Sequence, residues 1–417
     1  MTKHFSRLLL LLLVLAVFSC GGSDDDDSSD DDSDSGDDDA GDDDAGSDDD
    51  NAGDDDDDDD DDNGDDDDDD DDDDNDDNDD NDDDMFSDRD LEQVPDLSDA
   101  QYLTLSSGQN KSITEEGVYV ISGNVTNATV IVNADDEAKV QLVLDGLTVT
   151  NEDSPVVYIK AAGKVFVTTT AGSNNYMKVS GTFVPDGTTN PDAVIFGKED
   201  LTLNGKGSLK IISAKGNGVT SKDDLKITGG TLVVTSAWDS LEANNSIRIC
   251  GGEMTIDSDK DALHSEYDED DSVGFIYLSG GTLNITAADD GIRGTSYVQI
   301  DGGTIKVKSS REGIEATKIQ INDGDVDVYA TDDGLNATNK SSAYSVVIEI
   351  NGGNTYVKVG NGDTDGLDSN GRIVVNDGTL DVEAQNPFDC SQAQFNGGTV
   401  IVNGSPVTQI TCEDFPH

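Results

Sequence analysis

Short alternations of hydrophobic and polar residues, separated by turns, recur along most of the chain after residue 100. Residues 276–297 show the unit and read IYLSGGTLNITAADDGIRGTSY. Two runs with a period of two flank the GG turn, and a third, shorter run follows the DDG turn. This period is typical of β-strands. Three such strands cannot close a sheet by themselves, so each unit must pair edge to edge with its neighbours.

The glycine turns give the length of the repeat. The second glycines of successive turns are separated by 22, 29, 22, 21, 29, 25 and 20 residues. A base period of roughly 20–23 residues with occasional longer intervals is typical of a solenoid whose loops extend from one corner. These glycines are Gly230, Gly252, Gly281, Gly303, Gly324, Gly353, Gly378 and Gly398.

We therefore predict an all-β fold, a parallel β-helix with one solenoid coil per repeat. Its domain spans residues 98–417, divided into an N-terminal β cap (98–139), coils (140–402) and a C-terminal cover (403–417). A cap is expected because the open edge of a first coil would pair with other chains. No stretch carries a hydrophobic period of 3.6 residues, so almost no helix is expected.

Stacking the repeats aligns equivalent residues in columns. Inward positions place aliphatic side chains above one another, and the position before each glycine pair places small polar groups that can bond from coil to coil. The aliphatic columns are Leu232, Met254, Leu283, Ile305, Val326 and Val400, and Leu241, Leu263, Ile292, Ile314, Leu335 and Leu367. The turn column is Thr228, Cys250, Ser279, Asp301, Asn322, Asn351, Asn376 and Asn396.

The first 97 residues differ from the repeats. Residues 1–20 join a basic start to an apolar run, as in a secretory signal peptide. Their last residues, VFSC, resemble a bacterial lipobox, which predicts lipidation of Cys20. By resemblance, Gly21 after the cysteine predicts anchorage in the bacterial outer membrane, and the SDDDD at 23–27 predicts export to the cell surface. An ordinary signal peptide with a chance cysteine is the alternative. Residues 21–97 are predicted to be a disordered linker, with 43 Asp and no Lys or Arg over 24–84. It acts as a solvated spacer or binds Ca²⁺ loosely.

The acidity extends beyond the linker. Residues 85–417 carry 50 acidic and 22 basic residues. Such a surface repels phosphate backbones, so nucleic acid is excluded as a partner.

Three cysteines remain within the predicted domain. Cys390 and Cys412 lie 22 residues apart, about one coil, so a disulfide between them is open. Cys250 occupies a turn position, which favours a small buried residue over a catalytic thiol.

An acidic residue precedes the third run of successive repeats, and folding alone does not explain it. At a strand spacing of about 4.8 Å the carboxylates would form a column of like charges. Each neighbouring pair would then cost about 1 kcal/mol or more near a surface. We name this column the acidic ladder: Asp239, Asp261, Asp290, Glu312, Asp333 and Asp365.

Two interpretations of the acidic ladder are open. Ca²⁺ between adjacent coils would remove the repulsion, because this ion takes six to eight oxygen ligands at about 2.3–2.6 Å. A solvated corner with diffuse counterions is the alternative. At two coils a second aspartate, Asp289 or Asp332, precedes the ladder residue and doubles the negative charge, which favours the Ca²⁺ interpretation. The predicted metal ligands are Asp261, Asp289, Asp290, Glu312, Asp332, Asp333, Asp365 and Asp368.

Few other residues point to catalysis or ligand binding. Three histidines are too few for a histidine metal cage, and a repeating ladder offers no unique carboxylate pair of the glycosidase kind. No catalytic residue is predicted. The arginines beside the ladder contact an acidic sugar or, alternatively, only neutralise carboxylates. The predicted ligand-binding residues are Arg293, Arg311, Trp238 and Tyr267.

Four stretches resemble a known family. They are GVYVISGN at 117–124, VLDGL at 143–147, AVIFGKEDLTLNGKG at 193–207 and GVTSKDDLKITGG at 218–230. The resemblance is to the carbohydrate-binding β-helix domain typified by a clostridial cellulose- and polygalacturonate-binding protein, and it covers about residues 98–402.

The resemblance implies a right-handed parallel β-helix, structurally similar to calcium-dependent pectate lyases. It also implies bound Ca²⁺ and binding of plant cell-wall or acidic polysaccharide without catalysis. The turns at 238–240, 311–313 and 387–389 depart from the family's pattern, so the resemblance does not extend the calcium role to them. The matching turns assign the calcium role to Asp261, Asp290, Asp333 and Asp365.

Three functions are compatible with these patterns. The leading hypothesis is a surface lipoprotein that binds polysaccharide, a polyuronate or other cell-wall glycan, through a calcium-bearing β-helix and without catalysis. The second is a calcium-dependent lyase of the pectate type, with Lys260 or Arg311 as the base. The third is a calcium-stiffened adhesive or structural stalk.

Overall fold

A computed structural model describes residues 85–362 and 364–412. Over these ranges the chain is built almost entirely of β-strands, with one short α-helix at Asp88–Leu91. No helix within the described ranges combines the length and hydropathy that crossing a membrane requires. The predicted signal peptide with Cys20, and the predicted linker up to residue 84, lie outside the described residues.

Successive strands lie on three faces, and each pairs in parallel with the equivalent strand one coil away. Face 1 comprises Lys111–Ile113, Val130–Asn133, Val157–Ala161, Ala193–Gly197, Asn217–Ser221, Leu241–Ala243, Leu263–Ser265, Ile292–Gly294, Ile314–Ala316 and Leu335–Ala337. Face 2 comprises Gln101–Thr104, Gly117–Ser122, Lys139–Leu144, Lys164–Thr169, Asp200–Gly205, Asp224–Ile227, Ser246–Ile249, Phe275–Leu278, Tyr297–Ile300, Lys318–Ile321 and Val347–Ile350. Face 3 comprises Asn124–Thr126, Thr148–Asn151, Asn174–Val179, Ser208–Ser213, Thr231–Ser236, Glu253–Ser258, Thr282–Ala287, Thr304–Ser310, Asp325–Ala330, Asn354–Val359, Thr379–Glu383 and Thr399–Val402.

The two ends of the solenoid differ. Parallel pairing already begins with Gln101–Thr104 on Gly117–Ser122, so the predicted division at residues 139 and 140 coincides with no break in the pairing. Near the C-terminus, Asp365–Val375 and Asn386–Phe395 each run across faces 1 and 2. Ser405–Val407 then folds back antiparallel on face 3.

The predicted all-β parallel β-helix is confirmed, and so is its packing. The two aliphatic columns point inward, and each of their members is at most 5% exposed. Register supports the alignment, since Leu263 pairs with Leu241 on one side and with Ile292 on the other. Burying these columns supplies the main stabilisation, at about 25 cal/mol per Å² of apolar surface.

The glycine turns connect face 2 to face 3. The second glycine of each turn has a positive φ, for example 83° at Gly281, a conformation that other residues rarely adopt. Space is also restricted, because a Cβ on Gly252 would lie 3.0 Å from the carbonyl oxygen of Gly230 one coil away. Both requirements explain why glycine recurs here.

The turn column carries a ladder of side-chain amides, as predicted. Asn351 donates to Asn322 at 2.8 Å, Asn376 donates to Asn351 at 2.7 Å, and Asn396 donates to Asn376 at 2.7 Å. An amide both donates and accepts, so identical residues satisfy one another along the column.

Residues 85–93 lie against the outside of face 2, within the range predicted as linker; we call them the strap. Asp90 is fully buried between Lys164 at 2.8 Å and Lys226 at 3.4 Å. Gln93 donates to Thr228 at 3.1 Å, which fixes the end of the strap to the turn column. The hydrophobic pattern gave no sign of this contact because ion pairs and hydrogen bonds form much of it.

The cysteine pairing that the sequence left open is present. Cys390 and Cys412 form a disulfide, which ties the segment after face 3 to the last coil. Cys250 forms no disulfide and is buried in the turn column, as predicted.

Candidate metal and glycan site

The acidic ladder lies at the corner where face 3 turns into face 1. Each acidic residue precedes a face 1 strand, so the parallel register stacks these residues one per coil. The Oδ1 of Asp239 accepts the backbone N–H of Asp261 at 3.0 Å, and that of Asp261 accepts the N–H of Asp290 at 2.9 Å. Asn217 accepts the N–H of Asp239 in the same way. Part of the repetition is therefore structural, because a short oxygen-bearing side chain caps the next coil.

The hydrogen bonds to the next coil do not explain why the ladder residues are charged, because the uncharged Asn217 makes the same bond. Asp239, Asp261, Asp290 and Glu312 are buried, at 4, 1, 2 and 6% exposure. Buried carboxylates need a partner of opposite charge, a proton or a metal ion. How each carboxylate meets that need differs along the ladder.

Basic side chains of the protein neutralise the first part of the ladder. His264 contacts Asp239 at 3.3 Å and Asp261 at 3.6 Å, and Lys260 contacts Asp239 at 3.3 Å. Burial lowers the pKa of His264, but hydrogen bonds to Asp239 and Glu266 outweigh it and raise that pKa to about 9. His264 is therefore protonated at neutral pH, and its charge stabilises the carboxylates around it.

The next coils bring three buried carboxylates together. Oxygen atoms of Asp290, Glu312 and Glu315 lie within 4.8 Å of one another. Burial, followed by the charges of Asp261 and Glu312, raises the pKa of Asp290. The Oδ1 atom of Asp290 and the Oδ1 atom of Asn336 are both buried without a hydrogen-bond donor among the described residues. These acidic groups could hold a metal ion. We call Asp290, Glu312 and Glu315 the carboxylate cluster.

Two further groups have the same potential. One comprises Asp239, Asp261 and His264, and the other comprises Asp261, Asp289 and Asp290. Asp239 and Glu312 belong to such groups although their turns depart from the family's pattern. Glu315 was absent from the predicted ligands; its position three residues after Glu312, equivalent to that of the predicted ligand Asp368 after Asp365, is the sequence signal that could have found it.

Arg311 is held by carboxylates on three sides. It contacts Glu312 at 3.0 Å, Asp289 at 3.2 Å and Asp332 at 3.4 Å. Asp289 and Asp332, two of the predicted metal ligands, thus share an arginine at the surface. Arg311 remains half-exposed and accessible to an anionic ligand.

Arg293 is similarly surrounded. It lies 3.5 Å from Asp261, 3.4 Å from Glu266 and 3.5 Å from Glu315. Residues 338–346 form an insertion between faces 1 and 2. Its Lys340 contacts Glu315 at 3.1 Å. The carboxylate cluster is therefore bordered by positive charge on the side of Glu315.

The remaining predicted residues are more dispersed. Asp365 donates its backbone N–H to Asp333 at 2.9 Å, which continues the ladder, and Asp368 stands opposite Asn336 on face 1. Trp238 immediately precedes the ladder and is 46% exposed. Tyr267 lies on a second insertion between faces 1 and 2, residues 266–274, where its hydroxyl donates to Glu269 at 3.1 Å. Their roles as ligands stay predictions.

Comparison with known proteins gives the same family as the resemblance. Residues 107–364 and 300–396 match the family described as carbohydrate-binding domain-containing protein. The chain belongs to the carbohydrate-binding domain family. A curated relative with that description, from Acetivibrio thermocellus, is 40% identical over 188 residues, which is 45% of this chain and 66% of the relative. The match thus spans just under two thirds of that relative.

One solved structure is also similar. It is described as a polysaccharide lyase-like protein from C. thermocellum, in a gadolinium derivative. The identity is 28%, the TM-score is 0.47, and the alignment covers 57% of this chain and 96% of that one.

Proposed function

We propose that this member of the carbohydrate-binding domain family binds an acidic polysaccharide, a polyuronate, at the acidic ladder, with Ca²⁺ held by the carboxylate cluster. The observation that carries the proposal is three buried carboxylates within 4.8 Å of one another. One of their oxygen atoms, Oδ1 of Asp290, has no donor among the described residues.

The donor set fits a hard cation. Carboxylate oxygens and a side-chain amide oxygen are ligands that Ca²⁺ takes, whereas soft metals prefer thiolates and imidazoles. Asp290, Glu312 and Glu315 would hold the ion, with the buried Oδ1 of Asn336 nearby as a neutral ligand. The first part of the ladder needs no ion, because His264 and Lys260 already neutralise Asp239.

The charge of the protein requires a bridge to an acidic sugar. The folded part carries an excess of acids, which repels polyuronate. Bound Ca²⁺ supplies positive charge between protein carboxylates and sugar carboxylates. Arg311 and Trp238 flank the ladder; the guanidinium suits a sugar carboxylate, and the exposed indole suits the flat face of a sugar ring.

The cellular location is part of the proposal. VFSC at residues 17–20 supports lipidation of Cys20 and anchorage in the bacterial outer membrane. The acidic residues 24–84 would then hold the β-helix away from the membrane, where a long glycan can reach it.

Affinity electrophoresis through polygalacturonate tests the proposal. The protein should be retarded with Ca²⁺ and released by a chelator, and Asp290→Asn should lose most of the retardation. Asp257→Asn, an exposed aspartate on face 3, serves as the matched control and should behave like the parent. Equal retardation of parent and Asp290→Asn would overturn the role of the carboxylate cluster.

The two alternative functions, lyase and stalk, predict different results with the same protein and polymer. Lys260 and Arg311, the candidate bases for a lyase, are both ion-paired. An ultraviolet-absorbing unsaturated product released from polygalacturonate would replace the binding proposal with a lyase. Calcium-dependent stability without retardation in any glycan would favour the stalk.

A further inference from the structure

A groove on the outside of face 2 lies away from the acidic ladder. Its volume is about 160 Å³, and the residues that line it come from two face 2 strands and from residues 338–346, which connect face 1 to face 2. The lining residues are Tyr297, Gln299, Lys318, Gln320 and Tyr344.

Two tyrosine rings form the apolar part of the groove. The ring centroids of Tyr297 and Tyr344 are 5.3 Å apart with an interplanar angle of 59°. Phe275 also stacks on Tyr297, at 4.7 Å and 10°, and Arg248 covers Phe275 at 5.2 Å. This column fixes Tyr297 in place, so the ring is available for stacking without loss of side-chain freedom.

Polar groups complete the groove. Gln299 donates to Asp301 at 2.9 Å, and Gln320 donates to Asn322 at 2.9 Å, so each carboxamide is held by the turn that follows its strand. Oriented amides and tyrosine hydroxyls are the groups that hydrogen-bond sugar hydroxyls. Lys318 is paired only loosely, with its Nζ atom 4.0 Å from Glu349, and adds a positive charge to a surface rich in acids.

The groove continues the surface that the strap occupies. Phe86 of the strap contacts Tyr277 at a centroid distance of 6.3 Å. Tyr277 is paired in register with Gln299, which is paired with Gln320. Face 2 is thus covered by the strap up to Tyr277, and the next two residues of this register, Gln299 and Gln320, line the groove.

We infer that this groove is a second saccharide subsite, which takes one uronate residue of the polysaccharide. The tyrosine rings contact the sugar faces, the glutamine amides bind hydroxyls, and Lys318 binds the carboxylate directly. A groove of this volume is smaller than the roughly 300–1,000 Å³ typical of larger ligands and suits one sugar ring. The inference rests on the proposed polyuronate binding but adds a contact that needs no metal ion.

Titration of the full-length protein with trigalacturonate and with cellotriose, with Ca²⁺ and then with a chelator, tests the subsite. Trigalacturonate should bind in chelator. Tyr344→Ala should weaken that binding about tenfold, as expected for loss of one stacking ring. Lys318→Gln should weaken trigalacturonate and leave cellotriose unchanged. Tyr329→Ala, an exposed tyrosine on face 3, is the matched control and should match the parent.

The outcomes separate the two proposals. Trigalacturonate binding that persists in chelator and falls in Tyr344→Ala supports the subsite, even if polygalacturonate retardation proves insensitive to Ca²⁺. Binding by the parent that is equal in Tyr344→Ala and Lys318→Gln overturns the subsite and leaves the carboxylate cluster as the site. Absence of binding to either saccharide overturns the subsite, whatever the long polymer does in electrophoresis.

Discussion

Asp90 and Asp290 are both buried aspartates, and the structure treats them in opposite ways. Burial raises the pKa of each, but Lys164 and Lys226 beside Asp90 outweigh burial and lower its pKa to about 2. Asp290 faces other carboxylates, which raise its pKa further. Asp90 thus stabilises the native state, whereas Asp290 costs stability until a cation binds. Whether a buried carboxylate stabilises the fold or could bind a cation therefore depends on the charges of its neighbours.

The amide ladder sharpens this contrast. Asn322, Asn351 and Asn376 stack in the same way as the acidic residues, one per coil. An amide can both donate to one neighbour and accept from the other, so the amides of this column satisfy one another's hydrogen bonds. A carboxylate only accepts, so the acidic ladder depends on His264, Lys260, arginines or a metal ion.

Breaking the ion pairs of Asp90 should have the largest effect. Asp90→Asn leaves Lys164 and Lys226 next to each other without their anion, and loss of one partner of a buried ion pair costs about 3–5 kcal/mol. Urea denaturation of the variant should show the loss. Asp96→Asn, on an exposed position after the strap, is the control. An unchanged midpoint for Asp90→Asn would mean that the strap adds no stability.

The same ion pairs predict a pH dependence. The pKa of Asp90 is about 2 in the native state and 3.8 as the ordinary value. A lowered native pKa means that the stabilisation is present above pH about 4 and is lost as pH falls to about 2. The parent should lose more stability over this window than Asp90→Asn, which lacks the group.

Calcium should produce the next largest effect. An ion that binds only the folded state at 100 times its dissociation constant stabilises by about 2.7 kcal/mol. Thermal unfolding of the parent should therefore shift upward with CaCl₂ and return in chelator. Magnesium at the same concentration tests the preference for calcium. A melting temperature that neither ion changes would overturn the proposed metal site.

Removing charge from the carboxylate cluster should act in the opposite direction to Asp90→Asn. In chelator, Asp290→Asn removes a buried carboxyl group whose ionisation its acidic neighbours oppose, and should stabilise by about 2 kcal/mol. With calcium present the variant should gain little, because a ligand is missing. Urea midpoints in both conditions, with Asp257→Asn alongside, measure this. Destabilisation in chelator would show that the carboxylate is satisfied within the protein.

The smallest effect is expected in the amide ladder. Asn351→Ala removes two side-chain hydrogen bonds at a half-buried position and should cost about 1 kcal/mol. Calcium should not alter that cost, because no carboxylate cluster surrounds the site. A calcium-dependent difference between Asn351→Ala and the parent would show that the two ladders are coupled.

Much of the fold followed from the sequence because its rules are local. Alternation with a period of two predicts strands, the recurring glycine requires a turn with positive φ, and the repeat length then requires stacking. These rules correctly predicted the aliphatic columns and the amide ladder. The acidic ladder was visible for the same reason, since Asp261 and Asp290 occupy one repeat position.

The composition of the candidate site was less accessible. Glu315 lies three residues after Glu312, and the folded structure shows that the oxygens of both converge with those of Asp290. Arg311 was assigned correctly to the ladder's surroundings, but its contacts with Asp289 and Asp332 depend on side-chain reach across coils. The groove at Tyr297 and Tyr344 joins a face 2 strand to an insertion, so no local pattern marks it.

The sequence by itself determined the β-helix, its inward columns, its glycine corner and the existence of a charged column, because each depends on periodic positions along one chain. The tertiary structure alone decided which charges are neutralised. His264 and Lys260 stand beside the first acids, the strap's Asp90 lies between two lysines, and Asp290 lies against the carboxylates of Glu312 and Glu315. Electrostatic energy depends on distance and burial rather than on sequence order, and distances between coils exist only once the chain has folded.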